Sequence, residues 1–239
     1  MDKKGSLYLI PVTLGECDKI EYVLPELVKE IIKSTDYYIV ENEKAARRAI
    51  KKILPEKKQS TLNIQVLDKH DANCGVSVAM LNPIFQGNDV GVMSDAGCPG
   101  VADPGALVVK LAHQNQIKVV PLVGPSSILL ALMASGFNGQ NFAFNGYLPI
   151  DKQEKKNTLK LYEKLSYDKG QSQIFIETPY RNNKLLEDLL LLLQPNTYLC
   201  IACDITLESE YIKTLTVKDW KKQKVDLHNR PCIFIIHKF

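Results

Sequence analysis

Apolar and polar positions along the chain follow two alternating periods. Short, near-continuous apolar runs occur at SLYLIPV (6–12), DYYIVEN (36–42), NIQVLD (63–68), DVGVMSD (89–95) and IKVVPLV (117–123). Between them lie LPELVKEIIKS (24–34), EKAARRAIKKIL (43–54), VSVAMLNPIFQ (76–86) and ALVVKLAHQNQ (106–116), whose apolar residues recur every three or four positions. The runs predict strands and the recurring patterns predict amphipathic helices. Pro25 stands near the start of the first helix, and Pro83 is expected to interrupt or end the third. Strands alternating with helices predict an α/β fold with a mainly parallel sheet covered by helices.

The second half changes character. SSILLALMASG (126–136) predicts a helix with Ser126 as N-cap and Gly136 as its stop. NFAFNGYLP (141–149) and QIFIETP (173–179) predict strands. KQEKKNTLKLYEKLS (152–166) predicts a charged helix with a solvated face, and NNKLLEDLLLLLQPN (182–196) a second helix. YLCIACDI, EYIKTLTV and PCIFIIHKF then follow with little helix between them, which predicts a mixed sheet with antiparallel strands. The division is expected near 117–123, giving an N-terminal α/β domain at 1–120 and a C-terminal α/β domain with a mixed sheet at 121–239.

Composition narrows the class. At 239 residues, 45% apolar and 24% charged, the chain reads as a globular protein with one large core or two smaller ones. No apolar run approaches the roughly 18 residues of a membrane span. The opening MDKKGSLYLIPV is too short in its apolar part for a signal peptide and is expected to be a first strand. A net charge of +3 neither requires nor excludes a nucleic-acid partner. Of the six cysteines only Cys200 and Cys203 are close. On a strand, residues three apart face opposite sides, so this pair is expected to be buried structural thiols and not a metal or redox pair. Scattered free thiols suit a reducing cytoplasm.

Four segments after predicted strands carry glycine or proline: PVTLGE (11–16), SDAGCPG (94–100), LVGPSS (122–127) and ETPYR (177–181). Between Met93 and the helix after Gly105 the chain holds far more turn chemistry than a connecting loop needs. Asp103 and Pro104 alone would start that helix, as N-cap and first-turn proline. In an open α/β sheet the carboxyl ends of the strands form the ligand crevice. Gly97 and Gly124 would let a ligand approach the backbone there, and Ser126 and Ser127 could donate hydrogen bonds. There is no P-loop, no G-x-G-x-x-G after the first strand, no G-x-S-x-G and no H-E-x-x-H. His70 beside Asp71 in LDKHD reads as an exposed loop histidine.

GSLYLIPVTLGE, SDAGCPGVADPG, VVPLVGPSS, FNGYLP and IFIETPYR, in this order and at these spacings, resemble the tetrapyrrole methylase superfamily. They most resemble the branch that methylates a cytidine ribose in small-subunit ribosomal RNA. That branch carries G-x-L-Y-[IV]-[VI]-P-T-P-I-G-N, S-D-A-G-T-P-x-x-x-D-P-G, P-x-P-G-P, F-x-G-F-L-P and a strand ending in E-[ST]-x-x-R. The resemblance covers nearly the whole chain. It implies two α/β domains with S-adenosylmethionine between them, in a homodimer that acts on RNA in the cytoplasm without a metal. By matching position, Pro11 and Gly15 would line a first cofactor loop, Ser94, Asp95, Ala96, Gly97, Cys98, Pro99 and Val101 a second, and Gly124, Ser126 and Ser127 a third. Ile176 and Glu177 would flank the adenine or sulfonium, with Asp204 to Thr206 as weaker candidates.

The departures concern the substrate. ENEK (41–44) stands where the branch has E-D-T-R, and PVTLGE replaces P-T-P-I-G-N. The sequence ends at IFIIHKF, without the further C-terminal extension that some members have. Glu177 and Glu41 are the carboxylates that could take the proton of a ribose hydroxyl, while Glu177 could equally cap the loop after it. Arg47, Arg48 and Arg181 are candidate contacts for RNA phosphates, with exposed helix-surface roles as the alternative for the first two. Three readings stand side by side: an RNA methylase, a methylase of a tetrapyrrole or other small molecule, and a cofactor-binding protein that has lost catalysis.

Overall fold

The computed structural model describes residues 4–17, 19–68 and 74–239. His70 and Asp71 lie outside the described residues. The chain forms two compact units, Met1–Ser126 and Ser127–Phe239.

The first unit runs β1 (Ser6–Leu9), α1 (Glu26–Ser34), β2 (Tyr37–Val40), α2 (Glu43–Ile53), β3 (Asn63–Val66), α3 (Asn82–Phe85), β4 (Val90–Met93), α4 (Gly105–Gln114) and β5 (Lys118–Pro121). Its strands form a five-stranded sheet in the order β3-β2-β4-β1-β5. Every pairing in it is parallel, as the strand-helix alternation predicts. The two faces carry separate cores. Tyr38, Val40 and Met93 face Val28 and Ile32 of α1 and Ile50 of α2. Ile39, Val90 and Val92 face Ile84 of α3 and Val108 of α4. Adjacent residues of β2 thus serve opposite cores, the period-2 geometry of a strand buried on both sides. β5 pairs with β1 from Ser6↔Lys118 to Leu9↔Pro121, which ties residues up to 121 to this sheet.

Pro83 does not end a helix. A 3-10 turn over Val78–Leu81 leads into α3, and Pro83 sits in its first turn, where the missing N–H costs nothing. Pro104, not Asp103, holds the flanking position of α4.

The second unit runs α5 (Ser127–Ser135), β6 (Phe142–Tyr147), α6 (Lys152–Lys169), β7 (Ser172–Ile176), α7 (Asn182–Leu192), β8 (Tyr198–Cys203), β9 (Tyr211–Thr216), α8 (Val217–Trp220) and β10 (Cys232–His237). The sheet order is β6-β7-β10-β8-β9. β6 and β7 are parallel and the other pairings antiparallel, so the sheet is mixed. Gly136 stops α5 with φ +77°. One core joins Phe175, Leu199, Ile201, Cys203 and Phe234 to Leu159 of α6, Leu189 of α7 and Trp220 of α8. α5 packs against β8, β9 and β10. Cys203 belongs to that core, and its cross-strand partner is Cys232 and not Cys200. All three thiols are buried, and burial pushes Cys200 up to about 11.

His237, at the end of β10, is 4% exposed. Its Nδ1 lies 3.4 Å from Ser166 Oγ and 3.3 Å from Ser172 Oγ, and Phe137 stacks on its ring. Burial holds its pKa below the ordinary 6.5. The unfolded chain therefore takes up this proton before the folded one as pH falls. Stability against urea is expected to be level above about pH 6.5 and to fall as the pH drops below it. In His237→Gln most of the slope between about pH 5 and 6.5 should vanish; an unchanged slope would assign the effect to another group.

Candidate functional site

In a parallel sheet all strand carboxyl ends share one edge, so the loops after β1, β2, β4 and β5 emerge together. β1 and β4 are hydrogen-bonded neighbours, which sets PVTLGE beside SDAGCPG. The amide of Val12 donates to the carbonyl of Gly97 at 3.0 Å. The Cys98 thiol points at the carbonyls of Pro125 (3.3 Å) and Gly124 (3.6 Å). Thus three of the four glycine- and proline-bearing segments are joined within the first unit. Burial raises the Cys98 pKa, so this thiol stays protonated and serves as a donor in that junction.

The glycines make the junction possible. A Cβ on Gly124 would stand 2.2 Å from Pro11 Cβ. Gly97 has φ +69°, and a Cβ there would meet Leu14 Cδ2 at 3.1 Å and the Pro125 carbonyl at 3.2 Å. On the side where a Cβ would stand, the space beside Gly97 is therefore filled by the neighbouring loops. Gly100 is different. It has φ +85° and nothing within 4 Å of a Cβ position.

Asp103 acts one step earlier than an N-cap. Its carboxylate accepts the amides of Gly100 (2.9 Å) and Gly105 (2.7 Å), clasping the loop and the start of α4. Burial raises its pKa, the charge of Glu41 adds to the rise, and the backbone bonds oppose it. The run D-P-G held this signal, because an aspartate can close an Asx-type turn by accepting the amide two residues on.

ENEK follows β2 at the same edge. Asn42 caps α2 by accepting the Ala45 amide at 3.0 Å. Glu41 accepts the Asp95 amide at 3.1 Å, binding this turn to the glycine loop. Glu16, at the end of PVTLGE, lies 3.2 Å from Lys52 Nζ and 3.7 Å from Arg48. Both departures from the branch's motifs thus have partners in this chain. Arg47 is committed to Glu43 (2.8 Å) and the carbonyl of Gln59 (2.8 Å), whereas Arg48 is mostly exposed.

A pocket of about 380 Å³ opens beside the second loop, lined by Cys98, Pro99, Gly100 and Val101 with Leu9, Ala106, Val109, Pro121 and Leu122. Its volume lies in the range of small-molecule sites, about 300–1,000 Å³. Leu9, Ala106 and Val109 could not be singled out in the sequence, because they look like any other apolar residues of their strand and helix. Bare backbone at Gly100 and an apolar wall fit a ligand with a polar end and an aliphatic chain.

Ile176 and Glu177 belong to the second unit, at the end of β7. Glu177 Oε1 accepts the Thr178 amide (2.7 Å), and Arg181 through Nε (3.1 Å) and an η nitrogen (2.8 Å). This latch sets the turn at Pro179–Arg181. Asp204 and Thr206, after β8, both have positive φ, +49° and +73°. Thr206 is β-branched, so that conformation is costly, and its buried Oγ1 has no partner among the described residues. Asp204 is held by Arg230 Nε (2.8 Å) and Ser209 Oγ (3.0 Å).

Substitutions test the junction. Gly124→Ala forces its methyl onto Pro11, and Gly97→Val adds left-handed strain to crowding. Each is expected to cost about 1–3 kcal/mol, or several degrees in a calorimetric melt. Gly139→Ala, at an exposed glycine with open space around it, should melt like the parent. A parental melt for Gly124→Ala would contradict the packing of the loops.

Comparison with known proteins agrees with this architecture. The family model of the tetrapyrrole (corrin/porphyrin) methylases matches residues 8–220. The chain is 28% identical over 239 residues to ribosomal RNA small subunit methyltransferase I of Buchnera aphidicola subsp. Schizaphis graminum, covering 99% of this chain and 79% of that one. It is 26% identical over 236 residues to the protein of the same name from Vibrio cholerae, covering 98% and 77%. Among solved structures, the methyltransferase CobJ superposes with a TM-score of 0.64 at 14% identity, covering 98% and 94%. With the family model matching residues 8–220, most of the chain and every glycine loop just described, the chain belongs to the tetrapyrrole methylase family and is a methyltransferase.

Proposed function

We propose that the chain methylates a ribose 2'-hydroxyl of small-subunit ribosomal RNA, with S-adenosylmethionine as donor. The observation that carries this reading is the end-to-end likeness to relatives named ribosomal RNA small subunit methyltransferase I. The reading includes a homodimer working in the cytoplasm, and it needs no metal.

When bound, S-adenosylmethionine supplies a methyl group already activated on a sulfonium. The residues proposed to hold it are Pro11, Gly15, Ser94 to Pro99 and Val101, with Gly124, Ser126, Ser127, Ile176 and Glu177. The bare backbone at Gly100 and the apolar pocket beside it support this assignment in the first unit. What remains for the protein is alignment, which can supply about 7–11 kcal/mol in favourable cases, and removal of the hydroxyl proton.

Glu41 and Glu177 divide that work. Glu177 spends Oε1 on the Thr178 amide and on Arg181, so that oxygen is already occupied. It positions Arg181, whose remaining N–H groups can face a phosphate. Glu41 stands on the glycine loop through Asp95 and is the proton acceptor in this reading. Arg48 is an exposed phosphate contact, and Arg47 supports α2 beneath it.

Labelled S-adenosylmethionine offered with small-subunit RNA or with a porphyrin precursor tests the substrate. Label is expected in RNA, at a linkage that resists alkaline cleavage because its 2'-oxygen is blocked. Label only in the tetrapyrrole would overturn the substrate. Glu41→Gln should lower kcat by about 10²–10⁴ while S-adenosylhomocysteine affinity, read by calorimetry, stays within a few-fold. A variant with parental kcat would remove Glu41 from the proton transfer.

A further inference from the structure

α6 breaks two local rules of helix design on its outer face. Lys152, Lys156 and Lys160 repeat every four residues, so each is a like-charge neighbour of the next. Lys152 is also the first residue of the helix, where the helix dipole disfavours cations. All three are exposed. Other lysines of the helix have partners: Lys155 reaches Asp188 at 2.8 Å, and Lys164 pairs with Asp168. Among the described residues, Lys152, Lys156 and Lys160 form no ion pair.

The surroundings leave the charge uncompensated. Glu154 projects about 120–160° round the helix from the three lysines. Glu163 is buried and accepts the Gln194 amide and the Thr197 hydroxyl. Asp151 is spent on the N-cap, accepting the amides of Gln153 and Glu154. The polar neighbours on this face are Gln153 and Asn157, bonded to each other at 3.0 Å. Leu161 is exposed beside Asn157, but a bilayer-binding helix carries a continuous apolar face, and amides beside lysines suit a phosphate–sugar backbone. Local helix stability given up with no compensating contact points to a role outside the fold.

Topology aims the row. β6 and β7 are parallel, and α6 returns the chain between them, so its N-terminus lies at the edge where β6 and β7 end. The row starts at the edge that carries Glu177 and Arg181. We propose that Lys152, Lys156 and Lys160 form a docking strip for the phosphate backbone of the RNA substrate, leading to that edge. This rests on the reading of the chain as an RNA methylase.

The test compares the parent with Lys152→Gln/Lys156→Gln/Lys160→Gln. Binding to labelled small-subunit ribosomal RNA is followed by anisotropy across a salt series, and methyl transfer to the same RNA is measured at saturating cofactor. The variant should bind RNA at least tenfold more weakly at low salt. Its slope of log affinity against log salt should be shallower by about 2–3, as expected for three lost phosphate contacts. KM for RNA should rise with kcat little changed, and melting temperature and S-adenosylhomocysteine affinity should match the parent. A variant that keeps parental RNA affinity and slope, while the parent methylates RNA, overturns the docking strip alone. A parent that neither binds nor methylates RNA overturns both readings. Loss in the variant of binding to anionic phospholipid vesicles, with RNA binding unchanged, would assign the row to a membrane surface and also overturn the proposal.

Discussion

The absence of a side chain at Gly124, pressed against Pro11, is the constraint on which the first unit's candidate site rests. The loop after β5 can lie on the loop after β1 only because no Cβ stands between them. With those two loops in contact, the Pro125 carbonyl comes within reach of the Cys98 thiol, and Val12 hands its amide to Gly97. The second loop is thus pinned from both sides, and Asp103 clasps its far end to α4. Such a set of backbone contacts is stiff, because none of its members can rotate away as a long side chain can. Stiffness is what an alignment catalyst requires, since the gain from orientation is lost if the binding loops relax.

Electrostatics around this junction follow from the same geometry. Glu41 and Asp103 are both drawn to backbone amides of the loop, and Glu41 adds to the upward shift that burial imposes on Asp103. Glu16 is balanced by Arg48 and Lys52 on α2. The basic helix therefore has a structural task, and its charge is partly consumed in performing it. α6 is the contrast. Its inner lysine pairs with Asp188, while among the described residues its outer row finds no carboxylate.

In the second unit the costliest left-handed backbone stands after β8, where a β-branched residue adopts it. Asp204 and Thr206 hold left-handed backbone at the end of β8, and the Thr206 hydroxyl is buried without a partner among the described residues. A fold optimised only for stability would place glycine or asparagine there. The neighbouring ion pairs, Glu177 with Arg181 and Asp204 with Arg230, brace the two turns that leave this edge of the sheet.

The sequence by itself determined the alternation of strands and helices, the parallel first sheet and the mixed second one. Those follow from period-2 and period-3.6 patterns, which are properties of neighbouring residues. It also marked the glycine loops, because Gly, Pro and Asp are recognisable turn formers wherever they stand. It misplaced Pro83 and Asp103, since whether a proline ends a helix or opens one depends on which carbonyls lie behind it. Only the tertiary structure decided what each loop residue touches. Gly97 and Gly124 read as openings for a ligand; in the structure neighbouring loops occupy the Cβ side of both, and Gly100 is bare on that side. In the sequence Glu177 is equally open to proton transfer and to capping; in the structure Arg181 donates to its Oε1. The lysines of α6 read as one charged helix; which were paired and which were left over depended on Asp188, far off in sequence and reached only by folding.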